Sequence, residues 1–125
     1  MSAKKIIIVE DEGIVCNDLR CYLSQIGYNV TASYYSGEEA LKSCRNNPPD
    51  AALIDIGLQG QIDGIETAKQ IMNQLNIPVI YITGYADKST ISQARDTHPA
   101  DLLQKPINED ELKAALDRVF SLNYS

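Results

Sequence analysis

Apolar residues fall along this chain in two alternating rhythms. Short unbroken runs at Lys5-Ile6-Ile7-Ile8-Val9, Ala51-Ala52-Leu53-Ile54, Pro78-Val79-Ile80-Tyr81-Ile82 and Asp101-Leu102-Leu103-Gln104 read as buried strands. Residues 28–33 are β-prone but more polar, as an edge strand would be. Between these runs the apolar positions recur at helical spacing. Val15, Leu19, Leu23 and Ile26 mark a first helix, with Gly27 as its stop. Ser36-Gly37-Glu38-Glu39 is a capping box opening a second helix, with Ala40 and Leu41 facing inward, and Asn46-Asn47-Pro48-Pro49-Asp50 breaks it. Asp63-Gly64-Ile65-Glu66 opens a third, with a stripe of Ile65, Ala68, Met72 and Leu75. A fourth, over residues 88–97, has only Ile91 and Ala94 clearly apolar. The fifth starts at Asn108, capped with Glu111, and carries Leu112, Ala115, Leu116 and Val119 at i, i+3, i+4 and i+7. Strand and helix alternate five times, which predicts an α/β fold on a parallel sheet.

The carboxyl ends of the strands in such a sheet lie along one edge, where ligands bind. Glu10, Asp11, Asp55, Thr83 and Lys105 each stand at or just past the end of a predicted strand. Residues far apart in sequence therefore converge on one pocket holding three acids, a hydroxyl and an ammonium. Three crowded carboxylates raise one another's pKa unless a cation sits among them. A hard divalent ion would bridge their oxygens and those of an incoming phosphoryl group. That is the chemistry of a metal-assisted phosphoryl acceptor. A hydroxyl such as that of Thr83 can donate to a phosphoryl oxygen, with the small Gly84 leaving the site reachable, and an ammonium such as that of Lys105 can neutralise developing charge. A strand-ending threonine and a surface lysine are equally ordinary readings of those residues alone.

Ile8-Val9-Glu10-Asp11-Glu12, Leu53-Ile54-Asp55-Ile56, Asp63-Gly64, Ile82-Thr83-Gly84 and Lys105-Pro106 occur in the order, and near the spacing, of a known family. The chain resembles a response-regulator receiver domain, the phospho-acceptor half of a two-component signalling pair. The resemblance implies a flavodoxin-like (βα)5 three-layer sandwich with a five-stranded parallel sheet of order 2-1-3-4-5. It implies that Asp55 accepts the phosphoryl group, assisted by Thr83 and Lys105, and that the Lys105–Pro106 peptide is cis. It also implies Mg²⁺ (or Mn²⁺) held directly by Asp11, Asp55 and the carbonyl of Gly57, with Glu10 acting through water. Glu12 is read as an ordinary helix-start acid. Residues 1–125 are expected to form a single receiver domain, without an output domain in this chain. Its partners would be a sensor histidine kinase or histidine phosphotransfer protein and an unknown downstream protein, met through the fourth helix, fifth strand and fifth helix. The chain would assist its own modification without turning over an external substrate, as a cytoplasmic monomer or weak dimer.

Three departures from the family pattern stand out. The loop Ile56-Gly57-Leu58-Gln59-Gly60-Gln61-Ile62 is one residue longer than usual and lacks its Pro. Leu102 replaces an aromatic residue that rotates on activation in many members. Tyr85 is bulky at a position that influences loss of the phosphoryl group, and with the loop to Lys88 it is the expected substitute carrier of the change.

Charge and composition narrow the field further. A net charge of −6 and a pI near 4.6 argue against general affinity for nucleic acid or anionic membrane. No apolar stretch approaches the roughly 20 residues of a membrane span. Cys16, Cys21 and Cys44 form no CxxC pair and are expected as reduced, mostly buried thiols, with Cys16 and Cys21 pointing in different directions. His98, beside Pro99, reads as a loop or packing residue. A Mg-dependent phosphatase would carry a second acid two residues after its nucleophile, where Gly57 stands, and would need a substrate cap. A nucleotide or flavin binder would show GxxxxGK[ST] or GxGxxG, and neither is present. A degenerate receiver serving only as a binding module would not be expected to retain Asp55, Thr83 and Lys105 together.

Overall fold

The fold follows from period-two alternation in strands covered on both faces. The structure, a computed structural model, describes residues 3–58, 62–84 and 86–121. Strands β1 (Lys5–Val9), β2 (Asn29–Tyr34), β3 (Ala51–Asp55), β4 (Val79–Thr83) and β5 (Asp101–Gln104) alternate with helices α1 (Gly13–Gln25), α2 (Gly37–Asn46), α3 (Gly64–Leu75), α4 (Lys88–Arg95) and α5 (Glu109–Ser121). All pairings are parallel and the order is β2-β1-β3-β4-β5, as expected of the flavodoxin-like fold. Polar β2 is an edge strand, and the three most apolar strands fill the centre.

Successive side chains in the central strands enter opposite cores. Ile6, Ile8, Leu53, Ile80 and Ile82 pack with Leu19 and Leu23 of α1 and Leu112, Ala115 and Leu116 of α5. Ile7, Val9, Ile54, Val79 and Tyr81 pack with residues of α2, α3 and α4 on the other face. Each large aliphatic side chain so buried stabilises the fold by about 1.5–3 kcal/mol.

The helix starts obey their caps. Ser36 Oγ accepts the Glu39 N–H, Asp63 the Glu66 N–H at 2.8 Å, and Asn108 the Glu111 N–H at 2.9 Å. Gly27, after α1, has φ +98°, open to glycine without strain.

Two expectations need correction. The buried face of α3 is Gly64, Thr67, Ala68 and Ile71, while Ile65, Met72 and Leu75 are only partly covered. Thr67 can be buried because its hydroxyl donates to Asp63 O at 2.7 Å. Helix α4 ends at Arg95 rather than Thr97. The cysteines follow expectation: Cys16 and Cys44 are buried, and Cys21 is exposed, on a different side of α1 from Cys16.

Candidate functional site

The strand ends bring the expected residues to one edge of the sheet. Glu10 directly follows β1, and its N–H donates to Tyr34 O at 2.9 Å. Asp55 is the last residue of β3; the next N–H, from Ile56, donates to Ile82 O at 2.9 Å, so both central strands are paired up to the site. Thr83 ends β4, one residue beyond the partner of Asp55. The Lys105 N–H donates to Thr83 O at 2.7 Å, which ties the end of β5 to the end of β4. The Lys105–Pro106 peptide is cis.

Helix α3 begins hard against the end of β3. A Cβ on Gly64 would lie 2.0 Å from the backbone oxygen of Asp55 and 2.8 Å from Cα of Ile56, so only glycine permits this approach. Gly84 is not under such pressure; a Cβ there would make an ordinary contact with the Lys105 stem at 3.6 Å.

Burial divides the site. Glu10 (0% exposed), Asp55 (5%) and Thr83 (4%) are enclosed, whereas Asp11 and Glu12 face solvent. Oδ1 of Asp55 accepts the Gly57 N–H at 2.9 Å, which orients the carboxylate, and Oδ2 faces the Lys105 ammonium at 3.4 Å. The same ammonium meets Glu10 Oε2 at 3.0 Å and Glu12 Oε1 at 2.7 Å. Glu12 thus departs from the expected role: it sits at the N-cap of α1 but makes no side-chain cap, and its carboxylate pairs with Lys105 instead. Sequence alone did not reveal this contact, because an acid at the start of α1 already has a sufficient local explanation as a cap.

Burial pushes the Glu10 carboxyl up to about 7, reinforced by the charge of Asp55 and opposed by the Glu12 N–H and by Lys105. Desolvation is therefore a larger cause than the carboxylate crowding expected from sequence. At Lys105 burial acts against the ammonium, but Glu12, Glu10 and Asp55 outweigh it and hold its pKa above the ordinary lysine value.

The donor set fits a hard divalent cation. Carboxylate oxygens of Glu10, Asp11, Glu12 and Asp55 all lie within 4.8 Å of one another. Among the described residues, Oε2 of Glu10 is buried with no hydrogen-bond partner beyond its ion-pair contact with Lys105. Such an oxygen is left for a cation or its water to satisfy. Gln59, Gly60, Gln61 and Tyr85, which carry two of the departures noted above, lie outside the described residues. Leu102 is partly buried against the α3–α4 core.

A strand-end acid pair, an enclosed aspartate and a lysine reaching it across the sheet form the arrangement seen at the strand ends of receiver domains. The family model "Response regulator receiver domain" matches residues 6–117, and the chain belongs to that family, the receiver domains of two-component systems. Among curated relatives, it is 35% identical over 122 residues to the transcriptional regulatory protein ZraR of Escherichia coli (strain K12), covering 96% of this chain and 27% of that protein. It is 26% identical over 118 residues to the transcriptional regulatory protein PdtaR of Mycobacterium tuberculosis (strain ATCC 25618 / H37Rv), covering 94% and 57%. The chain thus spans less than two thirds of either relative. Among solved structures, the signal receiver domain of a modulated diguanylate cyclase from Desulfovibrio desulfuricans G20 superposes with a TM-score of 0.91 at 34% identity, covering 96% of this chain and 95% of that one. Receiver domains of this family bind Mg²⁺ at an acidic pocket and work as signalling modules with histidine kinases and downstream effectors. Among the described residues no helix is long and apolar enough to cross a membrane.

Proposed function

We propose that this chain accepts a phosphoryl group on Asp55 from the phosphohistidine of a sensor histidine kinase or phosphotransfer protein. The observation that carries this reading is the posture of Asp55. One oxygen is held by the Gly57 N–H and the other faces an ammonium, inside a ring of acids at the mouth of the central strand. An Asp55 oxygen attacks phosphorus, the phosphorus–nitrogen bond breaks, and its electron pair leaves on the donor imidazole. The product is a mixed acyl phosphate.

Asp11, Asp55 and the Gly57 carbonyl would hold Mg²⁺ or Mn²⁺, with Glu10 acting through water, and the bound ion would supply charge neutralisation to the phosphoryl oxygens. Lys105 moves its ammonium the short distance onto the transferred group. The Thr83 hydroxyl donates to a phosphoryl oxygen and draws the end of β4 with it.

Helix α4 follows directly and is thinly anchored, with Ala94 its one buried residue, so the signal passes to a protein-binding face made by α4, β5 and α5. The net charge of −6 favours a protein over a nucleic acid as the downstream partner of this chain. The setting proposed is the cytoplasm, with the chain acting as a monomer or weak dimer and turning over no external substrate.

Incubation with a small acyl-phosphate donor and Mg²⁺, followed by intact mass and peptide mapping, tests the assignment. A single phosphoryl group on Asp55, absent from Asp55→Asn, is expected. A hydroxylamine-labile phosphoryl group on the Asp55→Asn protein would refute it.

A further inference from the structure

One carboxylate of the cluster has no part in that chemistry. Glu12 occupies the N-cap of α1, where an acid ordinarily accepts an N–H of the first turn, yet it caps nothing. Its Oε1 lies 2.7 Å from the Lys105 ammonium, closer than Glu10 at 3.0 Å or Asp55 at 3.4 Å. The Glu12 N–H donates to Glu10 Oε1 at 3.0 Å, which fixes the residue against the wall of the pocket. The Glu12 side chain is 61% exposed and that of Asp55 7%, so the ammonium is shared between an outer and an inner anion.

We propose that Glu12 is a positioning residue for Lys105. It holds the ammonium on the outer side of the pocket while a divalent cation takes Asp11 and Asp55, and it releases the ammonium to the phosphoryl group after transfer. This inference rests on the metal-assisted reading above. Two cations on one carboxylate repel each other strongly in an enclosed site. Without an alternative to Glu10 and Asp55, the lysine would stay on them and oppose the metal. Glu12 supplies that alternative within reach of a flexible four-carbon stem.

The test is a Mg²⁺ titration by calorimetry on four full-length proteins: the parent, Glu12→Gln, Lys105→Met and the double variant. If Glu12 acts through the lysine, Glu12→Gln should weaken Mg²⁺ binding about threefold in the parent background, in the range of a largely exposed ion pair. It should weaken binding less than about 1.5-fold when Lys105 is already Met, so the two effects are coupled. Equal weakening in both backgrounds would mean that Glu12 acts on the metal directly, and no weakening in either would leave it without a role; each overturns the inference but not the metal site. Failure of the parent and Lys105→Met to bind Mg²⁺ at all would overturn the underlying reading as well. Nuclear magnetic resonance of the Lys105 ammonium gives a readout independent of affinity. With Mg²⁺ bound, the parent should show an ammonium protected from solvent exchange and Glu12→Gln should not; equal protection in both would contradict the proposal.

Discussion

The two helices that follow β3 and its neighbour β4 are anchored very unequally. Helix α3, after β3, runs twelve residues, buries Gly64, Thr67, Ala68 and Ile71, and is capped by Asp63. Its first residue presses on the backbone of Asp55. Helix α4, after β4, runs eight residues and buries Ala94 alone. Beyond its Asp87 cap, α4 is tied to the sheet by a hydrogen-bond chain in which Tyr81, fully buried in β4, donates to Thr97 Oγ1 at 2.8 Å and Thr97 in turn donates to Ala94 O. One wall of the site is therefore fixed and the other is held by a few separable contacts. Such an asymmetry lets a single local event reposition one element while leaving the acceptor in place.

The largest effect should come from breaching the fixed wall. Gly64→Ala drives a methyl group into the backbone at the end of β3, which cannot swing aside. The expected loss is about 3 kcal/mol in urea unfolding, at the upper end of overpacking costs. A neutral outcome would show that α3 is not rigidly seated.

Next in size is the metal. Saturation with Mg²⁺ at about a hundredfold excess over Kd should add about 2.7 kcal/mol to the parent by mass action. Asp11→Ala should lose that gain while being at least as stable as the parent in metal-free buffer, because an exposed acid of the cluster is gone. Retention of the full Mg²⁺-dependent rise in melting temperature would remove Asp11 from the metal site.

Glu10, at the end of β1 between the two walls, gives a pH signature of the buried cluster. With its carboxyl raised from an ordinary 4.5 to about 7, the folded protein keeps a proton that the unfolded chain releases first. Its contribution is thus fully present below about pH 4.5 and declines as pH rises through about 7. In metal-free buffer, Glu10→Gln should flatten the fall in stability over that window, measured as unfolding free energy against pH. An unchanged slope would contradict the burial-driven shift.

The smallest effect belongs to the movable wall. Tyr81→Phe removes one partly buried hydrogen bond and should cost about 1 kcal/mol. Hydrogen exchange should quicken in α4 while α3 is unaffected; equal quickening in both would erase the asymmetry.

The thin apolar stripe of α4 was legible in the sequence, and so were the continuous runs of β1, β3 and β4, because strands covered on both faces need no polar side. The α3 face was read one step off. Hydropathy favours Ile65 and Met72, whereas burial of Thr67 depends on a hydroxyl bond to Asp63 and burial of Gly64 on a close backbone approach. Asp11, Asp55, Thr83 and Lys105 were legible because strand ends in a parallel sheet meet at one edge. The pairing of Glu12 with Lys105 was not, since an acid at a helix start has a sufficient local explanation until β5 is placed beside it.

Hydrogen exchange across the modification itself tests the account most directly. The parent and Asp55→Asn would each be compared with and without the acyl-phosphate donor and Mg²⁺. In the parent, changes should concentrate between Thr83 and Leu102 and leave α3 as it was, and Asp55→Asn should show no donor-dependent change. The same response in Asp55→Asn, or a parent response confined to α1 and α2, would contradict the account.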